Sequence, residues 1–491
     1  MRAARVLMLC VCAVLMGGMS AQSFRPDIPV AWDNQQVRSF DLPLAQRDRS
    51  PHYLSSSEYY ALKVRPIYRT YPVYAPGMEP PGYMATLRQK DPEIVFDPSR
   101  LKTREDWIRA GEAVFDAPAL PGLPVPPDGL TFPPGTVMPT TRDGVIPSRR
   151  YVIRQKGVVL VESAGGSCAQ CHSRVLAGSV VKGAPSDVPF EQNLVALNRQ
   201  RGLGPATAAR LNNIEWLLSG APWITPRETF DKAFSIDDWI RRHSAIPAGV
   251  QERQGTGPTH PVRIPSLIGI EDIRYLDATG RDRHRSIGDL MRYAIVNYGL
   301  DVIAHYGDFQ PAQTQSLFAE EGTRFSDEQL YALALYIYSL QPPPNPNPFD
   351  DRARRGQRIF QQQGCGSCHT PPLYTNNKLT PATGFQVPED LRATDDIMDI
   401  SVDTDPGLAL ETRRGTGFYK VPSLRGVWYR NALGHGGQAD TLEEWLDPTR
   451  LQQSYVPKGF HLAPGPIKGH EFGLRLPPDD KQALIAFLKT L

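Results

Sequence analysis

Cysteine and histidine residues occur twice in this chain in the pattern C-x-x-C-H. The two copies are, in chain order, Cys168, Cys171 and His172, and then Cys365, Cys368 and His369. In proteins that carry haem c, two such cysteines form thioether bonds to the porphyrin edge, and the adjacent histidine binds the iron. The motifs therefore predict two covalently bound haem c groups, with His172 and His369 as their proximal iron ligands.

Two other kinds of chemistry use closely spaced cysteines. A disulfide within C-x-x-C closes a very short loop and is a poor structural crosslink, although an oxidising compartment would permit it. A zinc site built from both pairs would need ligands much farther apart in sequence than is usual for zinc. Since both copies are complete and use every cysteine after Cys12, haem attachment is the preferred interpretation.

The first residues have the pattern of a secretory leader. Arg2 and Arg5 precede an apolar run from Val6 to Met16, and small residues follow up to Ala21. The run is too short for a membrane span, so residues 1–21 are predicted to be a signal peptide that contains Cys10 and Cys12. We therefore expect a periplasmic or secreted protein without a membrane-inserted segment.

The composition restricts the kinds of partner. The 491 residues include 54 basic and 52 acidic side chains, and loss of the leader with its two arginines balances them. This balance gives no indication of nucleic-acid or anionic-membrane binding. The 47 prolines predict long extended loops, as is common where loops surround a large cofactor.

Four sequence segments recur in the same order, which predicts an internal duplication. The pairs are 105–115 with 351–360, 263–276 with 420–433, 286–293 with 441–448, and 326–340 with 478–491. The last pair has the polar start and the apolar face of a capped amphipathic helix. The predicted fold is therefore mainly α-helical, with two cytochrome c-like units in tandem and long Pro/Gly-rich loops.

The same segments predict the domain boundaries. An N-terminal arm would occupy residues 22–100, the first cytochrome c-like unit 101–340, a stiff Pro-rich linker 341–348, and the second unit 349–491. The first unit contains two insertions. One, residues 116–164, predicts a small β-hairpin that turns at Lys156-Gly157, and the other lies between Cys171 and Ser266.

The sixth iron ligand should distinguish the two units, because an iron with two protein ligands transfers electrons and one with a free position can bind O2 or peroxide. In small cytochromes this ligand comes from the loop before the closing helix. His470 lies there in the second unit, whereas the matching position of the first unit is Ala319. No His, Met, Lys or Tyr occurs between Tyr306 and Ser326. We therefore expect an open first haem and a second haem held by His369 and His470.

Several alternatives stay open at this stage. His435, His461 and Met398 are the other candidates for the second iron. A further set of histidines could reach the first iron: His243, His260, His284 and His305. Phe318, Glu320 and Glu321 fall where a distal pocket would be, and a glutamate there could move protons. Trp216 and Trp428 could lie between the haems, although aromatic residues in apolar runs are more often part of a core.

These motifs resemble the bacterial di-haem cytochrome c peroxidase superfamily, which includes the methylamine dehydrogenase maturation enzyme MauG and the rubber oxygenases. The resemblance rests on the two haem motifs and on FYKVPSLRGVW, HGGQADTLEEW and the closing segment GHEFGLRLPPDDKQALIAFLKTL. In the peroxidases a methionine ligand follows a His-x-Gly motif at a fixed interval. Counted from His435, that interval ends at Thr449, which cannot bind iron. The spacing of the two haem motifs is similar to that in the rubber oxygenases.

The resemblance implies an oxygen-binding N-terminal haem and a bis-histidine C-terminal haem, and it leaves open a Ca²⁺ ion between the units. The expected function is a peroxidase- or oxygenase-type redox enzyme that uses O2 or H2O2 and exchanges electrons with a small donor or acceptor protein. The alternative is a di-haem electron carrier without a catalytic site. A redox sensor or scaffold is a third possibility.

Overall fold

The computed structural model describes residues 24–118, 120–125, 136, 138–312 and 322–491. The predicted leader, Ala319, and the predicted distal residues Phe318, Glu320 and Glu321 lie outside the described residues.

Helices form the larger part of the regular structure, and short β-ladders connect them. The α-helices are α1 (Asn34–Phe40), α2 (Ser56–Ala61), α3 (Tyr83–Arg88), α4 (Arg104–Asp116), α5 (Cys168–Cys171), α6 (Phe190–Arg201), α7 (Pro205–Ser219), α8 (Arg227–Ala233), α9 (Ile236–Ala245), α10 (Ile287–Ile295), α11 (Asp301–Ile303), α12 (Asp327–Ser339), α13 (Asp351–Gln362), α14 (Glu389–Thr394), α15 (Gly407–Leu410), α16 (Leu442–Trp445) and α17 (Pro478–Lys489). The chain is therefore helix-rich, as predicted.

The strands are short apart from one hairpin. They are β1 (Pro51–His52), β2 (Lys63–Val64), β3 (Thr70–Tyr74), β4 (Leu120–Pro124), β5 (Val145–Gln155), β6 (Val158–Gly165), β7 (Ser173–Leu176), β8 (Ser179–Lys182), β9 (Val250–Gln251), β10 (Val262–Arg263), β11 (Tyr275–Leu276), β12 (Asp282–Arg283), β13 (His305–Tyr306), β14 (Thr323–Arg324), β15 (Leu379–Pro381) and β16 (Phe418–Lys420).

The predicted hairpin is confirmed and belongs to a larger sheet. Strands β5 and β6 are antiparallel with Gln155 opposite Val158, and Lys156 and Gly157 between them have positive φ angles of 48° and 83°. Such φ values suit a tight two-residue hairpin turn. The sheet has the order β3-β5-β6-β4, so a strand from the N-terminal segment and another from the insertion extend the hairpin on either side.

Two helix pairs make the same unusually close contact. A Cβ atom added to Gly111 of α4 would lie 1.9 Å from the carbonyl oxygen of Ala332 in α12. A Cβ atom added to Gly356 of α13 would lie 1.9 Å from the carbonyl oxygen of Ala483 in α17. Only glycine allows backbones to approach this closely. The two glycines and the two alanines stand at matching positions of the repeated segments.

Each of these helix pairs has its own apolar core. The pair α4 and α12 packs with α10, and the N-terminal segment contributes Trp32 and Phe40, both fully buried, to the same core. The pair α13 and α17 packs against Val427, Leu433 and Leu446. Residues 24–100 thus supply part of the interior around the first motif in addition to surface structure.

Buried charges join the two halves of the chain. The Asp277 carboxylate accepts hydrogen bonds from Arg253, at 2.9 Å, and from Arg414, while Arg281 donates to Asp301 at 2.8 Å. Arg281 and Arg414 are both at least 99% buried, and Arg414 comes from the second half of the chain. The acidic groups Asp277 and Asp301 therefore face arginines.

Across the described ranges, no helix combines the length and the apolar character that spanning a bilayer would require.

Candidate functional site

The first C-x-x-C-H motif forms one helical turn. Helix α5 holds Cys168 and Cys171, and the Ser167 side chain caps its start by accepting from Gln170 N–H. His172 follows immediately, and its Nδ1–H donates to the Pro265 carbonyl oxygen at 3.1 Å. That hydrogen bond leaves Nε2 as the nitrogen that can bind a metal.

The second motif has the same proximal arrangement. Cys365 to Ser367 form a 3-10 turn, and His369 Nδ1–H lies 3.1 Å from both the Pro422 and the Tyr374 carbonyl oxygens. Pro265 and Pro422 are matching residues of the repeated Pro-Ser-Leu segments. Each histidine is therefore oriented by the carbonyl of the matching proline, which is the arrangement expected for an iron-binding histidine with a fixed tautomer.

His470 faces His369 across a largely apolar cavity of about 290 Å³. The centroids of the two imidazole rings are 6.3 Å apart. A metal–nitrogen bond is about 2 Å long, and an imidazole centroid lies roughly 1 Å behind its nitrogen, so two rings across one metal have centroids about 6 Å apart. Cys365 and Cys368 line the same cavity. These four residues therefore fit a covalently attached haem with two histidine ligands.

Three cationic side chains, Arg263, Lys420 and Arg430, line the same cavity. Burial lowers the pKa of Lys420 to about 8, and burial together with repulsion from Arg430 lowers the pKa of Arg263. Arg430 donates to the Ser423 carbonyl at 2.8 Å, and its own pKa is also lowered by burial. Desolvated cations bound to backbone carbonyls are costly unless an anion neutralises them. The two carboxylates of a haem would supply that charge.

The loop that carries His470 is held rigidly. His470 and Gly469 both have left-handed backbone conformations, with φ of 49° and 75°, and the His470 N–H donates to Val402 at 2.7 Å. The fully buried Arg450 guanidinium donates to the carbonyl oxygens of Ile467, Gly469 and His470. Burial and the nearby His369 lower the pKa of His470 to about 4, so its imidazole is neutral.

The other candidates for the second iron lie differently. His435 also lines the cavity, but its ring stacks on Tyr419 with centroids 4.5 Å apart. His461 belongs to an adjoining cavity, and its Nδ1–H donates to Gly459 at 2.9 Å. The Met398 sulfur lies 3.5 Å from the Asn376 side-chain amide. Of these residues, His470 has the ring that is placed across from His369.

The first site has different surroundings. The Tyr298 hydroxyl lies 2.8 Å from the Cys168 sulfur, and the Gln251 amide oxygen accepts from Cys171 at 3.3 Å. Desolvation raises the pKa of Cys168 to about 11 and that of Cys171 to about 12, and it lowers the pKa of His172 to about 4. The imidazole of His172 is therefore neutral at physiological pH.

The histidines considered for the first iron have other partners. His284 donates from Nδ1 to Ile273 and contacts the Tyr338 hydroxyl with Nε2, both at 2.6 Å. His305 is exposed in β13 and pairs with His52 in β1. His260 Nε2 lies 3.8 Å from Glu411 beside a separate cavity.

His243 contacts three glutamates, Glu191, Glu215 and Glu252. The contacts named for these four histidines are thus with residues other than Cys168, Cys171 and His172.

The two candidate tryptophans differ in position. Trp216, in the insertion, packs on Phe230 of the insertion and on Phe309, which lies after it in the chain. Trp428 packs edge-on against Tyr429, whose carbonyl accepts from Arg174 at 2.6 Å. Since Arg174 follows His172 by two residues, Trp428 stands next to a direct contact between the two motif-bearing regions.

Several site residues were not predicted from the sequence. Arg263 and Lys420 occupy the same place in the two repeated segments before Pro-Ser-Leu, so the repeat itself held that signal. Tyr298 and Arg450 lie in stretches without a recognisable motif. The kinked segment that carries Tyr298, with Gly299 at φ 118°, has no counterpart that sequence comparison of the repeats could have found.

No protein-family profile and no curated protein matches the chain. Among solved structures, hydrazine synthase from Kuenenia stuttgartiensis is similar at 17% identity and a TM-score of 0.27, covering 65% of this chain and 98% of that one. A MauG-like protein associated with microbial copper homeostasis is similar at 17% identity and a TM-score of 0.31, covering 47% and 73%. A variant of the diheme peroxidase BthA from Burkholderia thailandensis is similar at 15% identity and a TM-score of 0.26, covering 86% and 94%.

Proposed function

We propose that this chain is an exported di-haem c-type cytochrome that acts as a redox enzyme of the peroxidase or oxygenase type. The N-terminal haem, bound by His172, would activate O2 or H2O2. The C-terminal haem, bound by His369 and His470, would pass or store electrons. Each unit, residues 101–340 and 349–491, would hold one haem, and the matching Gly111 and Gly356 helix contacts support two equivalent units.

The observation that carries this proposal is the unequal surroundings of the two proximal histidines. His369 has an imidazole opposite it at the spacing of two ligands to one metal, whereas the side chains that contact the first motif are Tyr298, at Cys168, and Gln251, at Cys171. When bound, a haem with one protein ligand supplies a site for O2 or peroxide, and a haem with two supplies electron transfer.

The residues of the chain would perform distinct tasks. Pro265 and Pro422 accept the Nδ1–H of the motif histidines, which would keep Nε2 directed to the iron of a bound haem. Arg263, Lys420 and Arg430 would pair with the haem propionates, and the apolar lining of the second cavity would exclude water. The Arg174–Tyr429 hydrogen bond supplies a short connection between the two sites.

A small electron-donor or acceptor protein is the proposed partner of the second haem. The residues around that motif, including Gln361, Gly364 and Ser367, are exposed, whereas Ser167 and Ala169 of the first motif are buried. Electron transfer between proteins requires the donor and the acceptor to approach closely, so the more exposed motif is the better docking point.

Ligand addition to the purified haem-loaded protein tests the proposal. Cyanide, CO or peroxide should change the Soret band of about half the haem. A spectrum that none of these ligands alters would contradict the enzymatic proposal and would favour the alternative, a di-haem carrier whose two irons are both saturated by protein ligands.

A further inference from the structure

Four ionisable side chains converge in the insertion between Cys171 and Ser266. His243 Nε2 lies 3.1 Å from Glu215 Oε1, 3.2 Å from Glu252 Oε2 and 3.9 Å from Glu191 Oε2. They come from α6, α7, α9 and the residue after β9, so the tertiary structure assembles them. Neither haem attachment nor the proposed redox reaction uses any of them.

The cluster is buried and carries more negative than positive groups. The side chain of His243 is 1% exposed, that of Glu215 5% and that of Glu252 6%. Glu252 Oε1 is fully buried and has no hydrogen-bond partner among the residues that the structure describes. Even a protonated His243 would leave three carboxylates with one cation. Arg253, the next residue, is committed to Asp277 and Tyr293. Such an excess of buried charge requires a cation or shared protons.

We propose that His243 Nε2 and the carboxylates of Glu191, Glu215 and Glu252 form a binding site for a divalent transition-metal ion, Mn²⁺, Fe²⁺ or Zn²⁺. Ligand atoms from Glu191, His243 and Glu252 all lie within 4.8 Å of one another. Ligands at about 2 Å from a common ion are separated by roughly 3–4 Å, so small side-chain movements would complete the coordination. Carboxylates suit Mn²⁺ and imidazole suits Fe²⁺ and Zn²⁺, so a set of three carboxylates and one imidazole fits these ions.

The proposed ligands have hydrogen-bond partners of the kind that orient ligands in metal sites. His243 Nδ1–H donates to the Trp239 carbonyl at 2.9 Å, which directs Nε2 toward the glutamates. Trp239 Nε1–H donates to Glu215 at 3.0 Å, and the Glu252 backbone N–H donates to Glu191 at 3.1 Å. Hydrogen bonds of this kind hold first ligands in place and strengthen metal binding.

The site has access to solvent and lies beside the first motif. A cavity of about 370 Å³ is bordered by Glu215 and Trp239, which gives an ion a route to the cluster. On the other side, Glu252 directly follows Gln251, whose side chain accepts from Cys171. The proposed ion would therefore be a non-haem metal close to the first haem, and its presence does not depend on the proposed redox function.

Metal analysis of the full-length haem-loaded protein tests this inference. The protein is dialysed against a chelator, incubated separately with Mn²⁺ and with Zn²⁺, and freed of unbound ions before elemental analysis. About one equivalent of added metal per chain is expected for at least one of the two ions. For Mn²⁺, loss of the free-ion electron paramagnetic resonance signal gives the affinity directly.

Two variants and one control complete the test. Glu252→Gln keeps the shape of the side chain and should weaken binding at least about tenfold, and His243→Gln should do the same. Glu228→Gln, in the same insertion but exposed and paired with Lys232, should bind like the parent protein. Haem content and circular dichroism identify any variant that fails to fold. If the parent protein binds less than a tenth of an equivalent of Mn²⁺ and also of Zn²⁺, the proposal is overturned in favour of shared protons. Unchanged binding in a folded Glu252→Gln variant would show that the metal binds elsewhere and would overturn it as well.

Discussion

The two motif-bearing regions share the hydrogen bond of the motif histidine and differ in the other contacts around the motif. His172 and His369 both donate from Nδ1 to the carbonyl of a Pro-Ser-Leu proline at 3.1 Å. Across from His369 lies His470, whereas the first motif is contacted by Tyr298, at Cys168, and by Gln251, at Cys171. The proximal side is made by the motif and one repeated segment, so a duplication keeps it. His470 lies on a separate loop, which can diverge on its own.

Charged side chains from both regions meet in the same places. Arg263 comes from the first region, yet it lines the cavity of the second together with Lys420, its match in the repeat. The buried ion pairs of Asp277 with Arg253 and Arg414 likewise join the two halves. The regions are therefore repeated in sequence but interlocked in structure, so each is expected to depend on the other for stability.

Removing one cysteine pair at a time should have the largest effect. Cys168→Ser/Cys171→Ser and Cys365→Ser/Cys368→Ser should each lower the covalent haem content from about two to about one per chain, because thioether bonds need both cysteines. The pyridine haemochrome assay on denatured protein measures this ratio. Two haems that persist in either double variant would show that the altered motif does not attach haem.

His470→Ala should make the two sites more alike. Without its imidazole the second iron would accept exogenous ligands, so the Soret change on adding cyanide should become about twice that of the parent protein. His461→Ala, in the adjoining cavity, serves as the control and should behave like the parent. If His470→Ala leaves the cyanide response unchanged, another residue is the sixth ligand.

Asp277→Asn tests the connection between the regions. Burial would raise the pKa of Asp277, but Arg253 and Arg414 outweigh it and hold the pKa well below its usual value. Replacing one partner of a buried ion pair should lower the free energy of unfolding by about 3–5 kcal/mol. Urea denaturation at neutral pH measures the loss. Unfolding of the two halves in separate transitions in the parent protein would contradict the interlocked arrangement.

The same carboxylate gives a pH dependence with a definite sign. Its stabilising contribution is fully present above the unfolded-state pKa of about 4 and is lost as the pH falls through the lower pKa of the folded state. The stability difference between the parent protein and Asp277→Asn should therefore shrink as the pH is lowered below about 4. A difference that is independent of pH over this range would exclude the ionised carboxylate as its cause.

Gly111→Ala and Gly356→Ala should have smaller and nearly equal effects. In both cases the new methyl group would collide with a helix carbonyl at 1.9 Å, so the helices must separate, and a cost of about 1–3 kcal/mol is expected for each. Thermal unfolding compares the two variants with Gly465→Ala, a site where an added Cβ meets no atom of the described residues within 4 Å. A strong effect at only one of the two glycines would show that the helix pairs are not equivalent.

The sequence was sufficient for features that depend on local spacing. The C-x-x-C-H motifs, the hairpin at Lys156-Gly157 and the placement of His470 before α17 all lie within short stretches whose geometry their own residues determine. The position of Arg263 beside Lys420 in the second cavity could not be predicted from local spacing. It required a comparison of the two repeats and the knowledge that both residues line one cavity. The cluster around His243 could not be predicted, because its members are brought together only by the packing of separate helices.

The N-terminal segment shows a further limit. Strand β3 contains Pro72 and sits in a stretch rich in Tyr, Pro and Gly, a composition that favours irregular loops. It nonetheless pairs with β5, with a register shift next to Pro72, and the buried Val73 side chain packs inward. Tertiary pairing here overrides local propensity, which no inspection of the segment alone would show.

Unequal coordination of the two irons is the central claim, and electron paramagnetic resonance of the oxidised haem-loaded protein tests it most directly. The spectrum should contain two haem signals of equal intensity, one low-spin signal from the His369/His470 site that cyanide does not change, and one from the His172 site that cyanide converts. Two low-spin signals that both persist unchanged in excess cyanide, in the oxidised protein and after a reduction and reoxidation cycle, would contradict it.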